Sequence, residues 1–234
     1  MLILALDTTT RTGSSALARD DVVLKERASD DTQPHAARLP GELMELLAQE
    51  GAKLSQIDVY AVATGPGSFT GLRVGIATMQ GLAFASGKPL VGVSALDALA
   101  VIGRRRAEAH REEMCPVATL VDAWRGEVYA ALYENGLQAK PPTVTDPAAW
   151  IQGLPRRLTR FLGDGAATYR ELIGDIMGPN AVISDPSSPC LAGTIAMLAL
   201  SAVQAGHRPP PHAIRPLYVR RPDAELARDS RASR

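Results

Sequence analysis

Apolar and polar positions alternate along this chain in two rhythms, and the switches between them mark its elements. Leu2-Ile3-Leu4-Ala5-Leu6 is a continuous apolar run of strand length and predicts a strand buried on both faces. Asp7-Thr8-Thr9-Thr10 follows as a polar turn. Ser14 to Arg19 and Val22 to Ala28 read as two more strands, joined by a hairpin at Asp20-Asp21. From Pro34 to Glu50 the period becomes helical, with Leu39, Leu43, Leu46 and Leu47 on one stripe and Gly51 as the terminator. Pro40 lies inside that stretch and is expected to kink the helix or restart it. Val59 to Thr64 is a buried strand, Thr70 to Ser86 a helix closed by Gly87, and Leu90 to Val93 a short strand. Ser94 caps a helix that is expected to end near Gly103.

The second half opens on the same plan. Pro116 to Val121 is an apolar strand that ends at Asp122. A turn at 123–126 leads into a strand from Glu127 to Glu134. "LALDTTTRTGSSALA" and "TLVDAWRGEVYAALY" thus share the order strand, Asp, turn, strand. Arg160-Phe161-Leu162 is a strand, 163–165 a turn, Ala166 to Met177 a helix and Val182-Ile183 a short strand. Leu191 to Ala205 is a last helix, stopped by Gly206 and the prolines at 209–211. The duplication predicts an α/β fold of two ribonuclease-H-like lobes, the architecture shared by actin, sugar kinases and heat-shock ATPases. The expected division is 1–103 for the first lobe, 104–220 for the second and 221–234 for a frayed tail. In that architecture the Asp after each lobe's first strand can face a nucleotide, so Asp7 and Asp122 are the candidates for that role. The other reading of each is an Asx-turn.

Composition narrows the function classes. The 234 residues carry 25 basic and 25 acidic side chains, so no global field advertises nucleic acid or membrane surfaces. Arg104-Arg105-Arg106 and Arg220-Arg221 are local basic clusters, suited to tRNA contact only within a larger complex. Cys115 and Cys190 stand alone, which fits a reducing cytoplasm and no zinc framework. No apolar run approaches the ~20 residues of a membrane span.

The glycine-rich stretch from Gly65 to Gly71 invites a phosphate-loop reading and fails it. It lacks the Lys and the spacing of a Walker loop, and it fails the last position of a dinucleotide fingerprint. Gly65, Pro66, Gly67 and Ser68 instead read as a tight strand-to-helix turn, with Ser68 or Thr70 as N-cap. The helix that follows has few polar groups, chiefly Arg73 and Gln80. Its small residues Gly71, Gly75 and Thr78 form a ridge that would let another helix approach closely. The expectation is that this ridge lies exposed and docks a partner, flanked by Arg73 and by Leu39 and Leu43 of the preceding helix.

"GPGSFTGLRVG", with "LALDTTT", "DAWRGEVYAALY" and "GDGA", resembles the bacterial TsaB family over residues 2 to about 220. The resemblance implies a non-catalytic scaffold for TsaD, the enzyme that places a threonylcarbamoyl group on adenosine 37 of tRNAs reading codons that start with A. It implies TsaD-type and TsaE-type partners, a homodimer when alone, and tRNA contact only through the complex. Relatives tend to have Arg and then an apolar residue where this chain has Trp124-Arg125. The catalytic paralogue holds its metal with an H-x-x-x-H pair; here His35 is followed by Leu39, so no metal pair is expected. No catalytic residue and no cofactor is expected on this chain alone, with ATP only at the level of the complex. The rival reading is an independent ATPase or small-molecule kinase of the same fold.

Overall fold

The computed structural model describes residues 1–217 and Val219. Tyr218 and 220–234, including the Arg220-Arg221 cluster and the expected tail, lie outside the described residues. Ten strands form two five-stranded sheets. The first sheet holds β1 (Leu2–Asp7), β2 (Ser14–Arg19), β3 (Val22–Ala28), β4 (Val59–Gly65) and β5 (Leu90–Ser94), in the order β3-β2-β1-β4-β5. The second holds β6 (Val117–Asp122), β7 (Val128–Glu134), β8 (Leu137–Thr145), β9 (Thr159–Leu162) and β10 (Ala181–Ile183), in the order β10-β9-β6-β7-β8. In each sheet three antiparallel strands come first and two parallel strands then join the other side of the first. The two orders are therefore the same order. The duplication read from two short segments extends through both lobes.

Strand alternation sorts side chains by size. On β1 and β4, Leu4, Leu6, Tyr60 and Val62 face one way, into a core with Leu39, Leu43, Ile76 and Met79. These last residues come from α1 (His35–Gln49) and α2 (Phe69–Ser86). The opposite face carries Ala5, Ala16, Ala61 and Ala63. Small residues there let α3 (Ala95–His110) and α7 (Ala192–Gln204) lie close to the sheet. The same core takes in Val117, Ala131 and Leu162 of the second sheet. Helix α3 thus packs on both sheets, with α7 beside it on the first. A third core covers the far face of the second sheet. There Leu120 and Phe161 meet Trp150 of α4 (Pro147–Gln152) and Ile173 and Met177 of α6 (Arg170–Met177), beside α5 (Asp164–Thr168).

Four local expectations are corrected. Helix α1 does not restart at Pro40 but continues from His35 to Gln49, its buried leucines and a buried Arg38–Glu42 ion pair of 3.1 Å holding the turn that lacks one hydrogen bond. Helix α3 does not stop near Gly103 but continues to His110, with Arg111 as its left-handed cap. The span expected as one helix from Ala166 divides at Tyr169 into α5 and α6. Strand β8 and helix α4 were not anticipated; Pro141 and Pro142 mask β8, and its place at a sheet edge is what tolerates them.

Gly103 is a packing residue rather than a terminator. A Cβ there would stand 2.9 Å from both Leu162 Cδ1 and Val117 Cγ1. The absent side chain lets α3 press onto the second sheet. We expect Gly103→Val to separate the two and to destabilise the fold by about 1–3 kcal/mol, as overpacking does. Urea unfolding monitored by circular dichroism checks this, with a lowered midpoint at unchanged slope.

Candidate functional site

Two places concentrate the residues singled out above: the glycine turn with α2, and the cleft between the lobes. At the turn, Gly65 adopts φ +107° and its bond to Pro66 is cis. Ser68 caps α2, its Oγ accepting the Gly71 N–H at 3.2 Å. The Ser68 N–H itself donates to the Thr9 carbonyl at 2.7 Å. A Cβ on Gly67 would sit 2.5 Å from that same carbonyl oxygen. The loop after β1 therefore lies directly against the glycine turn.

The faces of α2 are opposite to the expectation. Gly71 and Gly75 are buried. Their Cβ positions would lie 2.2 Å from the Thr8 carbonyl oxygen and 2.2 Å from Thr8 Oγ1, respectively. The small ridge seats Thr8 of this same chain and is not an outward surface. Thr78 is half-buried, with its hydroxyl donating to the Val74 carbonyl at 2.8 Å. Leu39 and Leu43 are also interior, where they belong to the core under α1. What does face outward on α2 includes Phe69, Thr70, Arg73, Ala77, Gly81, Ala85 and Phe84, the last 83% exposed. Arg73 stacks over the Phe69 ring at 3.9 Å. On α1 the outward residues include Ala37, Pro40, Gly41, Ala48 and Met44, which is 53% exposed. Gly41 and Gly81 have nothing within 4 Å of a Cβ. Both helices expose small and apolar residues, with Glu45, Gln49 and Arg73 exposed among them.

The start of α1 is held by a polar network that the sequence reading missed. His35 Nε2 lies 2.9 Å from the Thr10 carbonyl and Nδ1 lies 2.8 Å from Arg38 Nη2. Arg is always a donor, so Nδ1 accepts and Nε2–H donates to Thr10. Burial and the nearby Arg38 hold this imidazole below its usual pKa, with the Thr10 contact opposing them. Arg38 also donates to the Arg11 and Thr12 carbonyls, at 2.9 and 2.8 Å. Glu42 accepts from the Ser29 hydroxyl at 2.8 Å. His35 is thus a fastener for the loop after β1. The i, i+4 spacing of Arg38 and Glu42 was the available signal.

In the cleft, the two duplicated aspartates repeat one task. Asp7 Oδ1 accepts the Thr9 N–H at 2.9 Å and the Thr9 hydroxyl at 2.7 Å. Asp122 Oδ1 accepts the Trp124 N–H at 2.9 Å. Both close Asx-turns two residues on. Asp164 Oδ1 takes the Asp122 N–H at 3.0 Å and the Gly165 N–H at 2.9 Å. Nearby, the first amides of α7 are already engaged. Ser14 Oγ accepts from Leu191 and Ala192 at 3.1 Å each, and Glu26 Oε1 accepts from Gly193 at 2.7 Å. A helix N-terminus attracts anions, and here a carboxylate of the chain occupies it. Among the described residues, no group of three His, Cys, Asp or Glu side chains is placed to hold a metal ion.

Burial raises the pKa of Asp7 to about 6, against its two Thr9 hydrogen bonds, with Asp164 and Glu26 adding like charge. Asp164 is raised for the same first reason, and Asp122 adds to it. A raised acid favours the folded state while protonated. Asp7's contribution is fully present below its unfolded value of 3.8 and is lost as pH rises through about 6. We expect Asp7→Asn, which keeps an acceptor for Thr9, to flatten that decline and raise stability at neutral pH by on the order of 2 kcal/mol. Thermal unfolding of both proteins across this pH window checks the slope.

The family described as TsaD, tRNA N6-adenosine threonylcarbamoyltransferase, matches residues 23–228. An uncharacterised protein of Mycobacterium tuberculosis is 32% identical over 232 residues, covering 95% of this chain and 93% of its own. The tRNA threonylcarbamoyladenosine biosynthesis protein TsaB of Bacillus subtilis is 33% identical over 78% of this chain and 80% of its own. The TsaB of Escherichia coli is 39% identical over 58% of each chain. Among solved structures, YeaZ from Pseudomonas aeruginosa superposes with a TM-score of 0.71 at 30% identity, over 93% of this chain and all of that one. The dehydratase component A of Acidaminococcus fermentans, at 11% identity and a TM-score of 0.53, shares the fold.

Proposed function

The chain belongs to the TsaB family, and from that premise we propose that it is an accessory subunit in tRNA threonylcarbamoyladenosine biosynthesis, acting as the scaffold that binds and activates a TsaD-type catalytic subunit. Family membership carries the pathway. The outward sides of α1 and α2 support the docking role, because exposed small and apolar residues with two open glycines suit a close helix–helix contact. The contact residues on this reading are Met44, Gly41, Ala77, Gly81 and Phe84, with Arg73 at one end. Gly71 and Gly75 act one step back, by holding α2 against the loop after β1. A homodimer through the same face is the state proposed for the protein alone. A TsaE-type ATPase and tRNA join only through the complex, in the cytoplasm. No described helix is long and apolar enough to cross a membrane.

The ATPase or kinase reading has less support. Thr9 closes the glycine turn, and Glu26 and Ser14 take the first amides of α7. At both places amides that could meet a phosphate are engaged by the chain itself.

Gly81→Arg or Ala77→Arg would bury an unpaired charge in the proposed contact. At several kcal/mol this weakens binding by at least about 100-fold. Calorimetry with the TsaD-type subunit reads the affinity, and circular dichroism shows the fold kept, since both positions point outward. Cells in which Gly81→Arg replaces the native protein should lose threonylcarbamoyladenosine from tRNAs reading codons that start with A. Full affinity in both variants refutes the docking face; unchanged tRNA nucleosides after complete depletion refute the pathway.

A further inference from the structure

After α7 the chain returns to α2. Three consecutive prolines, 209–211, stiffen the backbone there and lower the entropy lost when it is ordered. A single 3-10 turn, Pro211–Ala213, leads on to Ile214 and Leu217. This segment rests on the first lobe at three places. Gln80 of α2 makes the first: its Nε2 donates to the Pro211 carbonyl at 2.9 Å and to the Ile214 carbonyl at 3.1 Å. An amide NH2 has two protons, one for each carbonyl. Gly92 of β5 makes the second. A Cβ there would stand 3.2 Å from Ile214 Cγ2, and Ile214 joins the core that holds Ile76, Met79 and Leu90. The end of β4 makes the third, where the Thr64 carbonyl accepts the Leu217 N–H at 2.7 Å.

The segment therefore ties α2 to the ends of two strands. Gln80 is half-buried, and its neighbours along the surface of α2 are Ala77 and Phe84, both exposed. Thr8 holds α2 from the inner side, and this segment holds it from the flank of the outward side. The hold is light. Among residues 207–217 only Ile214 is buried. A segment fastened by a few hydrogen bonds and one core side chain opens at lower cost than a core strand.

We propose that residues 209–217 are a strap that sets the affinity of α2 for its partner. Seated, the strap fixes α2 in the position that presents Ala77, Gly81 and Phe84. Released, it lets α2 shift on the sheet, and the partner binds more weakly. This rests on the docking role of α1 and α2 given above. Gln80 is a positioning residue: its amide is engaged by the strap, and it acts on the partner through α2. Linkage makes the effect reciprocal, so a partner that prefers the seated form also holds the strap down.

The test uses the full chain. Gln80→Met keeps the length and helix propensity of the side chain and removes both donors. Ile214→Ala releases the strap from its other end without altering α2. Hydrogen exchange followed by NMR reads the Leu217 amide, calorimetry with the TsaD-type subunit reads affinity, and circular dichroism reports the fold. In both variants exchange at Leu217 should be about tenfold faster, with the amides of β1 and β4 unchanged, and affinity should fall about tenfold. In the unaltered protein the partner should slow exchange at Leu217. Unchanged exchange at Leu217 in Gln80→Met overturns the strap. Gly81→Arg, measured alongside, separates the remaining failures. If it loses binding while a variant with fast Leu217 exchange keeps full affinity, the strap does not control α2. If it too keeps full affinity, the docking role fails and the strap's control of it falls with it.

Discussion

Thr8 seated on the glycines of α2 is the contact on which the rest of this structure turns. The loop after β1 must cross beneath a helix that starts only a few residues beyond its own strand. No side chain fits between them: at Gly71 and Gly75 a Cβ would stand 2.2 Å from Thr8 atoms. The contact fixes the rotation of α2 about its axis. Once Gly71 and Gly75 face in, Ala77, Gly81 and Phe84 must face out, because helical geometry allows no other arrangement. The same crossing brings the Thr9 carbonyl to the Ser68 amide. One close approach therefore ties the Ser68 amide to the loop after β1 and turns the other side of α2 outward.

The second organising feature is the pair of helices α3 and α7. Alanines on the first sheet and Gly103 on α3 bring both sheets close to α3, with α7 beside it on the first. The lobes thus share one core, and the cleft between them carries Asp7, Asp164 and Glu26 at close quarters. Such a cluster is costly unless its members are hydrogen-bonded or protonated. Here Glu26 finds the Gly193 amide, Asp164 the Asp122 and Gly165 amides, and Asp7 the Thr9 amide and hydroxyl. These acids hold turns and a helix end.

Much of this was legible in the sequence, for physical reasons. Buried strands such as Leu2 to Leu6 and Val59 to Thr64 announce themselves as apolar runs, and the Asp7 and Asp122 segments disclosed the duplication. Strand β8 was hidden because Pro141 and Pro142 deny a ladder, a rule that edge strands escape. Gly103 read as a helix end because periodicity cannot tell a terminator from a close-packing glycine. The faces of α2 were inverted for a related reason. A helix with so few long polar groups shows small residues on several sides, and only the position of Thr8, set by tertiary contact, decides which side is inside. The open glycines, Gly41 and Gly81, look no different in sequence from the buried ones.

The most direct test of the docking account is hydroxyl-radical footprinting of the chain with and without its TsaD-type partner. Met44 and Phe84 on the α1–α2 face, and Met114 and Trp124 elsewhere, are all exposed and all readily oxidised. The account predicts that the partner protects Met44 and Phe84 and leaves Met114 and Trp124 as reactive as before. Protection of Met114 or Trp124 with Met44 and Phe84 still open would contradict it.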